Sequence, residues 1–211
     1  MFGAMRRMQY SRFCHSDGSK LGSSRAFAEE VAALANVIEL APGHKQGLPC
    51  ENPVWIAGGM VGYGEAMARG LDLSALGGVV VGPILASSRA GASLPRVAHT
   101  VGGMVLESGL QNRGVGNTLR RYGNLWPKMG CPVVAQVADN DPASMGILAA
   151  RVANAPGIMG LELLPLTHDV ELAARMVRQV ARTSDLPVWV KLPLQDAVAW
   201  AKPLVENGAN G

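Results

Sequence analysis

Patterns that would indicate a metal or redox site are scarce in this sequence. The three cysteines, Cys14, Cys50 and Cys131, lie far apart and do not have metal-ligand spacing. The histidines likewise form no ligand motif, so no metal is predicted. An odd number of cysteines without an apolar signal core favours unpaired thiols in a reducing compartment, and therefore a cytoplasmic protein.

Long apolar runs and a basic cluster on a folded segment are also missing. The longest apolar runs are far too short to span a bilayer, so no membrane association is expected. Residues 1–25 hold five basic residues and one acidic residue, a local charge of +4 against a total of +3. The remaining chain is close to neutral, so nucleic-acid binding is not indicated. The basic terminus is interpreted as a tail or an extended gene start, with a targeting peptide as the alternative.

Apolar residues, by contrast, are plentiful, at 48% of the 211 residues, and 26 residues are glycine. This composition suits one large α/β domain. Buried strands are predicted to start near five positions, each at an apolar run typical of a parallel sheet: Val54, Val79, Val133, Met159 and Val188.

Helix start and stop signals alternate with these strands. A short helix is expected at 23–36, and Asp141-Pro142 and Asp169 are predicted to begin two more. A last helix, at about 195–207, contains Pro203, which should kink or divide it, and Gly208 is expected to cap its C-terminus.

Five β/α units indicate a (β/α)8 TIM barrel of which about the first five units are present. A full barrel needs roughly 250 residues, so we expect a fragment, or a remainder on another chain. Residues 1–36 are expected to form the basic tail and short helix, and 37–211 the partial barrel.

The most informative stretch runs from Asn52 to Asn112, where an apolar run breaks into glycines before a helix-forming segment. Its notable features are Asn52-Pro53, Ala57 to Gly59 with Gly62-Tyr63-Gly64, Asp72-Leu73 with Leu76-Gly77-Gly78, Arg89, Pro95-Arg96-Val97, Gly103-Met104 and Gly109-Leu110-Gln111-Asn112-x-Gly114-Val115. With these motifs in the same order and spacing, the chain resembles the dihydroorotate dehydrogenases, especially the soluble, FMN-containing class, over about residues 37–211.

The resemblance implies an FMN-linked TIM barrel that oxidises dihydroorotate to orotate in pyrimidine biosynthesis. It implies a small-molecule substrate, a homo-oligomer, and allows an electron-transfer partner subunit. It also implies that the strand at 37–40 belongs to a hairpin that closes the bottom of the barrel.

The same resemblance assigns FMN contacts to the ends of the strands. Lys191 matches the family lysine that contacts the flavin, and Ala57, Gly58 and Gly59 match the backbone that passes it. Gly58 stands where Ser or Ala is usual, and these glycines could equally serve a tight turn. Gln136 stands near a family Asn, while Gly82 replaces a lysine that touches flavin and substrate.

The family's substrate loop corresponds to 104–112, which implies substrate contacts from four residues: Ser108, Gly109, Leu110 and Asn112. Leu106 replaces an asparagine that hydrogen-bonds the pyrimidine, and Glu107 adds a carboxylate. Dihydroorotate is therefore expected to be a poor ligand for this pocket.

Strand four departs furthest from the family pattern. In the family pattern, Leu164 takes the position of a flavin- and substrate-binding Asn, and Thr167 takes that of the catalytic Cys. Asp169 takes the position of a second Asn. A Thr167/His168 or His168/Asp169 acid–base pair is one hypothesis. The other, which we favour, is a loop in which Asp169 caps the next helix. Three interpretations follow: an FMN-dependent dehydrogenase, a paralogue with another substrate, or a non-catalytic scaffold.

Overall fold

The computed structural model describes residues 37–65, 70 and 72–211. The helix expected at 23–36 and the basic terminus lie outside the described residues. In chain order the elements are β1 (Ile38–Glu39), β2 (Pro49–Cys50), β3 (Trp55–Ile56), β4 (Gly78–Ile84), β5 (Ser88–Arg89), β6 (Val97–Thr100), β7 (Gly103–Leu106), β8 (Asn112–Arg113), α1 (Val115–Tyr122), β9 (Val133–Asp139), α2 (Pro142–Ala153), β10 (Ile158–Pro165), α3 (Val170–Thr183), β11 (Val188–Val190) and α4 (Ala197–Glu206).

Five strands form a parallel sheet in the order β11-β10-β9-β4-β3. Each predicted strand start is confirmed within one residue. Strand order follows chain order, with a helix before β9, β10 and β11, which is the succession of a β/α barrel. The fold is therefore an α/β, partial TIM barrel.

One face of the sheet packs against the helices and is continuously apolar. Alternate strand residues such as Val81, Val137 and Leu161 are fully buried there. They meet Met145 of α2 and Met176 of α3 in the same core. Because side chains alternate across a strand, the residues between them point to the opposite face of the sheet, which we call the inner face.

On the inner face, two indole rings from the outermost strands of the sheet contact each other. Trp55 of β3 and Trp189 of β11 meet edge to face with ring centroids 5.1 Å apart. Flat neighbouring strands lie nearly 5 Å apart, so contact between the first and fifth strands requires a curled sheet. The β1–β2 hairpin, antiparallel as the resemblance implied, packs Leu48 into this inner cluster.

The helix boundaries follow the predicted caps. The Asp141 side chain accepts from Ser144 N, and that of Asp169 accepts from Glu171 N. Pro203 lies inside α4 but does not divide it. Proline has no N–H to donate to the carbonyl of Ala199. Because Ala199 is exposed, water can donate a hydrogen bond to that carbonyl instead.

Gly208 completes the C-terminus of α4 with φ 112°. Its N–H donates to Val205 O, and Ala209 N donates to Leu204 O, the bond pair of a Schellman motif. Within the described ranges, none of the helices is long and apolar enough to cross a bilayer.

Candidate functional site

Three polar side chains lie together on the inner face of the sheet: Gln136, Glu162 and Lys191. Gln136 of β9 is paired directly with Glu162 of β10, and its Nε2 donates to Glu162 Oε1 at 2.6 Å. Lys191 follows β11, and its Nζ lies 3.6 Å from the same carboxylate oxygen. Two of these residues were predicted as cofactor contacts, and the register of the strands brings them together.

Glu162 is the residue that sequence reasoning missed. Its side chain is 13% exposed, against 40% for that of Lys191, so the carboxylate is the more enclosed partner. A buried carboxylate is costly unless paired, and here it has one amide donor and one ammonium group. The sequence did contain one signal for it, since Glu162 is the single charged residue inside the apolar run 158–165.

Gly58 and Gln136 fit each other closely. A Cβ added at Gly58 would lie 2.8 to 2.9 Å from the nitrogen, carbon and oxygen of the Gln136 amide. The amide therefore lies flat against the Gly58 backbone. Gln is one methylene longer than Asn, so the missing side chain at Gly58 provides the space that the longer amide needs.

Gly82 adopts a backbone conformation that other residues resist. Its φ is 127°, and an added Cβ would lie 2.7 Å from the Gln136 carbonyl oxygen. The β4–β9 register also shifts between Val81 and Ile84. A lysine cannot be placed at this position without moving the strand, so the local backbone conformation requires glycine here.

The glycine turn after β3 is held against the end of β4. Gly59 N donates to Gly82 O at 3.0 Å, and Gly82 N donates to Gly62 O at 2.9 Å. Ala57 and Gly59 are exposed at this end of the sheet, so the backbone there is open to a ligand. Both proposed roles of the glycines, turn formation and close approach, are compatible with this geometry.

The loop after β10 adopts the arrangement that we favoured. Thr167 Oγ1 accepts a hydrogen bond from Asp169 N at 3.0 Å, and Asp169 caps α3. His168 is exposed, and among the described residues its ring makes no hydrogen bond. Neither predicted acid–base pair is therefore formed, because the chain turns into the helix here.

The 104–112 loop is organised by Asn112, which is 6% exposed. Its Nδ2 donates to Leu110 O at 2.9 Å, and its Oδ1 accepts from Gly114 N at 2.8 Å. Leu110 N lies 3.3 Å from Ser108 Oγ, and Gly109 packs its backbone against Ala92. In the described chain, no hydrogen bond links this loop to Gln136 or Lys191.

Cys131 lies just before β9, at the amino-terminal end of the sheet, opposite the end where barrels carry out chemistry. Burial raises the pKa of its thiol to about 11, so the thiolate is scarce at neutral pH. Both observations argue against Cys131 as a catalytic base.

A parallel, curled sheet with helices on its outer face and polar groups at its carboxyl ends defines a β/α-barrel protein. The family model described as dihydroorotate dehydrogenase matches residues 44–202. The chain therefore belongs to the dihydroorotate dehydrogenase family.

Several curated proteins share this similarity under one name, "Dihydroorotate dehydrogenase B (NAD(+)), catalytic subunit". The protein from Anoxybacillus flavithermus is 34% identical over 178 residues, which cover 78% of this chain and 57% of the relative. The Geobacillus kaustophilus and Malacoplasma penetrans proteins are 33% and 30% identical, with 57% and 58% of their lengths covered. The chain thus spans just over half the length of these relatives.

Proposed function

We propose that this chain is part of an FMN-dependent oxidoreductase with an activity like that of dihydroorotate dehydrogenase. Lys191 beside Gln136 and Glu162 at the carboxyl end of the sheet is the observation that carries the proposal. A cation and an amide at this end suit the uncharged ring and developing negative charge of a flavin.

The residues present fit such a cofactor. Gly59 leaves the backbone after β3 uncovered, since nothing lies within 4 Å of an added Cβ there. Gly58 carries no side chain and so lets the Gln136 amide lie beside the end of β3. Because Gln136 Nε2 donates to Glu162, its Oε1 can accept from a ligand. Bound FMN would supply a hydride acceptor for the oxidation of a ring CH–CH bond.

Glu162 would hold the Lys191 ammonium group and fix the orientation of the Gln136 amide. Its charge offsets part of that of Lys191, so the net positive potential at this end is smaller than a lone lysine would give. We further propose, because the relatives are catalytic subunits of an NAD(+)-dependent enzyme, that the chain works as a catalytic subunit with a second, electron-transferring subunit.

The test is the absorbance spectrum of the purified protein before and after anaerobic addition of dihydroorotate. We expect a bound flavin that bleaches. The Lys191→Met variant should bind about tenfold less flavin, since it loses a charge-assisted contact. Lys202→Met, an exposed lysine on α4, is the matched control and should bind flavin normally. A protein that takes up no flavin would overturn the proposal.

A second candidate is a flavin-binding paralogue or scaffold that does not oxidise dihydroorotate. The observation that favours it is the Thr167 hydroxyl, which already accepts from Asp169 N, together with Leu164 at a position facing the interior. A bound flavin that stays oxidised after dihydroorotate is added would support this candidate.

Restoring Asn at Leu164 and Cys at Thr167 together separates the two candidates. Turnover gained by the double variant would show that these positions limit the reaction. The Gly82→Lys change should be left out of this experiment, because φ 127° and the nearby carbonyl make it disruptive.

A further inference from the structure

A surface concavity beside the start of α1 is lined by arginines. It is a shallow recess of about 480 Å³, open to solvent, and lies against Arg113 of β8, Arg120 of α1 and Arg151 of α2. Its remaining walls are small or polar, and the lining residues include no aspartate or glutamate: Ala86, Ser87, Ser88, Gly114, Gly116 and Asn117. Three guanidinium groups from separate elements thus share one recess.

The recess is shaped by backbone packing. Gly114 has φ 75°, and an added Cβ would lie 2.8 Å from Ser88 N. Val115 N donates to Leu85 O at 2.8 Å, which fixes the start of α1 against the segment after β4. The floor of the recess is therefore held by main-chain contacts rather than by mobile side chains.

Two of the three arginines, Arg120 and Arg151, are directed towards the first turn of α1. Arg120 donates to Asn117 Oδ1 at 2.7 Å, one turn earlier in the helix. A methyl group added at Gly116 would lie 3.5 Å from a terminal nitrogen of Arg151, so that guanidinium covers the same turn. The first turn carries no acidic residue and no side-chain cap.

The charges in the recess are poorly compensated. Within the described ranges, none of the three guanidinium groups forms an ion pair. Glu65 interacts with Arg113 from outside the recess: burial raises the pKa of this carboxyl, but hydrogen bonds and the Arg113 charge outweigh it and lower the pKa. Among the described residues, no carboxylate lies within ion-pair distance of Arg120 or Arg151.

We propose that this recess binds a compact anion carrying at least two negative charges, such as the phosphate or diphosphate group of a small molecule. Guanidinium groups bind phosphate and carboxylate oxygens through paired hydrogen bonds, and the amides at the start of a helix favour the same charge. The volume of the recess lies within the range of small-molecule sites.

The probe is inorganic pyrophosphate, titrated calorimetrically into the purified protein at low ionic strength. We expect saturable binding of one ion, weakened about tenfold by Arg151→Gln and by Arg120→Gln, because each loses a charge-assisted pair. Arg151→Lys should retain part of the affinity, and binding should weaken with added salt.

Two controls separate this recess from other positive groups. Arg175→Gln removes an exposed arginine from α3 and should leave pyrophosphate binding unchanged. Lys191→Met should also leave it unchanged, so failure of the proposed flavin site would not affect the result. Binding that is insensitive to Arg120 and Arg151, or absent at millimolar pyrophosphate, would overturn the proposal.

A parallel titration with citrate distinguishes the source of the charge. Tighter binding of pyrophosphate assigns the recess to a phosphate group, and tighter binding of citrate assigns it to a polycarboxylate. An acidic peptide that binds through Arg151 when neither small anion does would instead indicate a protein partner, and would contradict the assignment to a compact ligand.

Discussion

The two faces of the curled sheet are built by different rules. The outer face is a continuous apolar layer against the helices, with Val81, Val137 and Leu161 fully buried. The inner face is apolar near the β1–β2 hairpin but carries Gln136, Glu162 and Lys191 towards the carboxyl ends. The outer face therefore stabilises the fold. At the carboxyl ends of the strands, the inner face carries polar groups that are less stabilising but suited to binding a ligand.

The largest expected effect compares two leucines of β10 that point to opposite faces. Leu161→Ala on the outer face should lower the free energy of unfolding by about 2–5 kcal/mol, because the fully buried side chain leaves a cavity. Leu164→Ala on the inner face should cost less than about 1.5 kcal/mol, since Leu164 is half-buried. Urea unfolding measures both, and equal losses would show that the faces do not differ.

A smaller effect tests the fit between Gly58 and Gln136. Gly58→Ala should cost about 1 kcal/mol, because the added methyl pushes the amide away from Glu162 and breaks one hydrogen bond. Gln136→Asn in the same chain shortens the amide and should recover most of that loss. If the double variant is no more stable than Gly58→Ala alone, the two positions are not coupled through this contact.

The smallest effect concerns Glu65, in the loop after β3. Burial raises its pKa, but hydrogen bonds from Tyr122 and Tyr63 N and the charge of Arg113 leave it below the usual glutamate value. A folded pKa below the unfolded one means that the ionised carboxylate stabilises the fold at neutral pH, and that this stabilisation fades as pH falls through the folded pKa.

Glu65→Gln should therefore cost less than about 1 kcal/mol at pH 7, because solvent screens this partly exposed group. The difference from the unmodified protein should shrink on acidification below the ordinary glutamate pKa. Unfolding midpoints measured from pH 7 to pH 3 test this, and a difference that grows with acid would contradict the assigned direction.

The parts of the fold that depend on local sequence could be predicted. Apolar runs located the five strands, and Asp141 and Asp169 located the starts of two helices, because both signals act over a few residues. Pro203 illustrates the limit: its local effect was clear, but the exposed position of Ala199, which makes the lost hydrogen bond tolerable, is set by tertiary packing.

The candidate site was predictable only in part, since contacts across strands depend on register. Gln136 and Lys191 could be named from the sequence, but their shared partner Glu162 appears only when β9, β10 and β11 are aligned. The pairing of Gly58 with the longer amide of Gln136 also needs coordinates, because Gly58 follows β3 and Gln136 lies on β9, and β4 separates these two strands in the sheet.

The contact between Trp55 and Trp189 makes the curvature of the sheet visible to spectroscopy. Two indoles held edge to face at 5.1 Å couple their electronic transitions, so the far-ultraviolet circular dichroism should contain a paired signal from their strongest absorption band. Trp189→Phe would remove that signal while leaving the buried Trp126 and Trp200 in place. The strength of this paired signal therefore reports the distance between the first and fifth strands of the sheet.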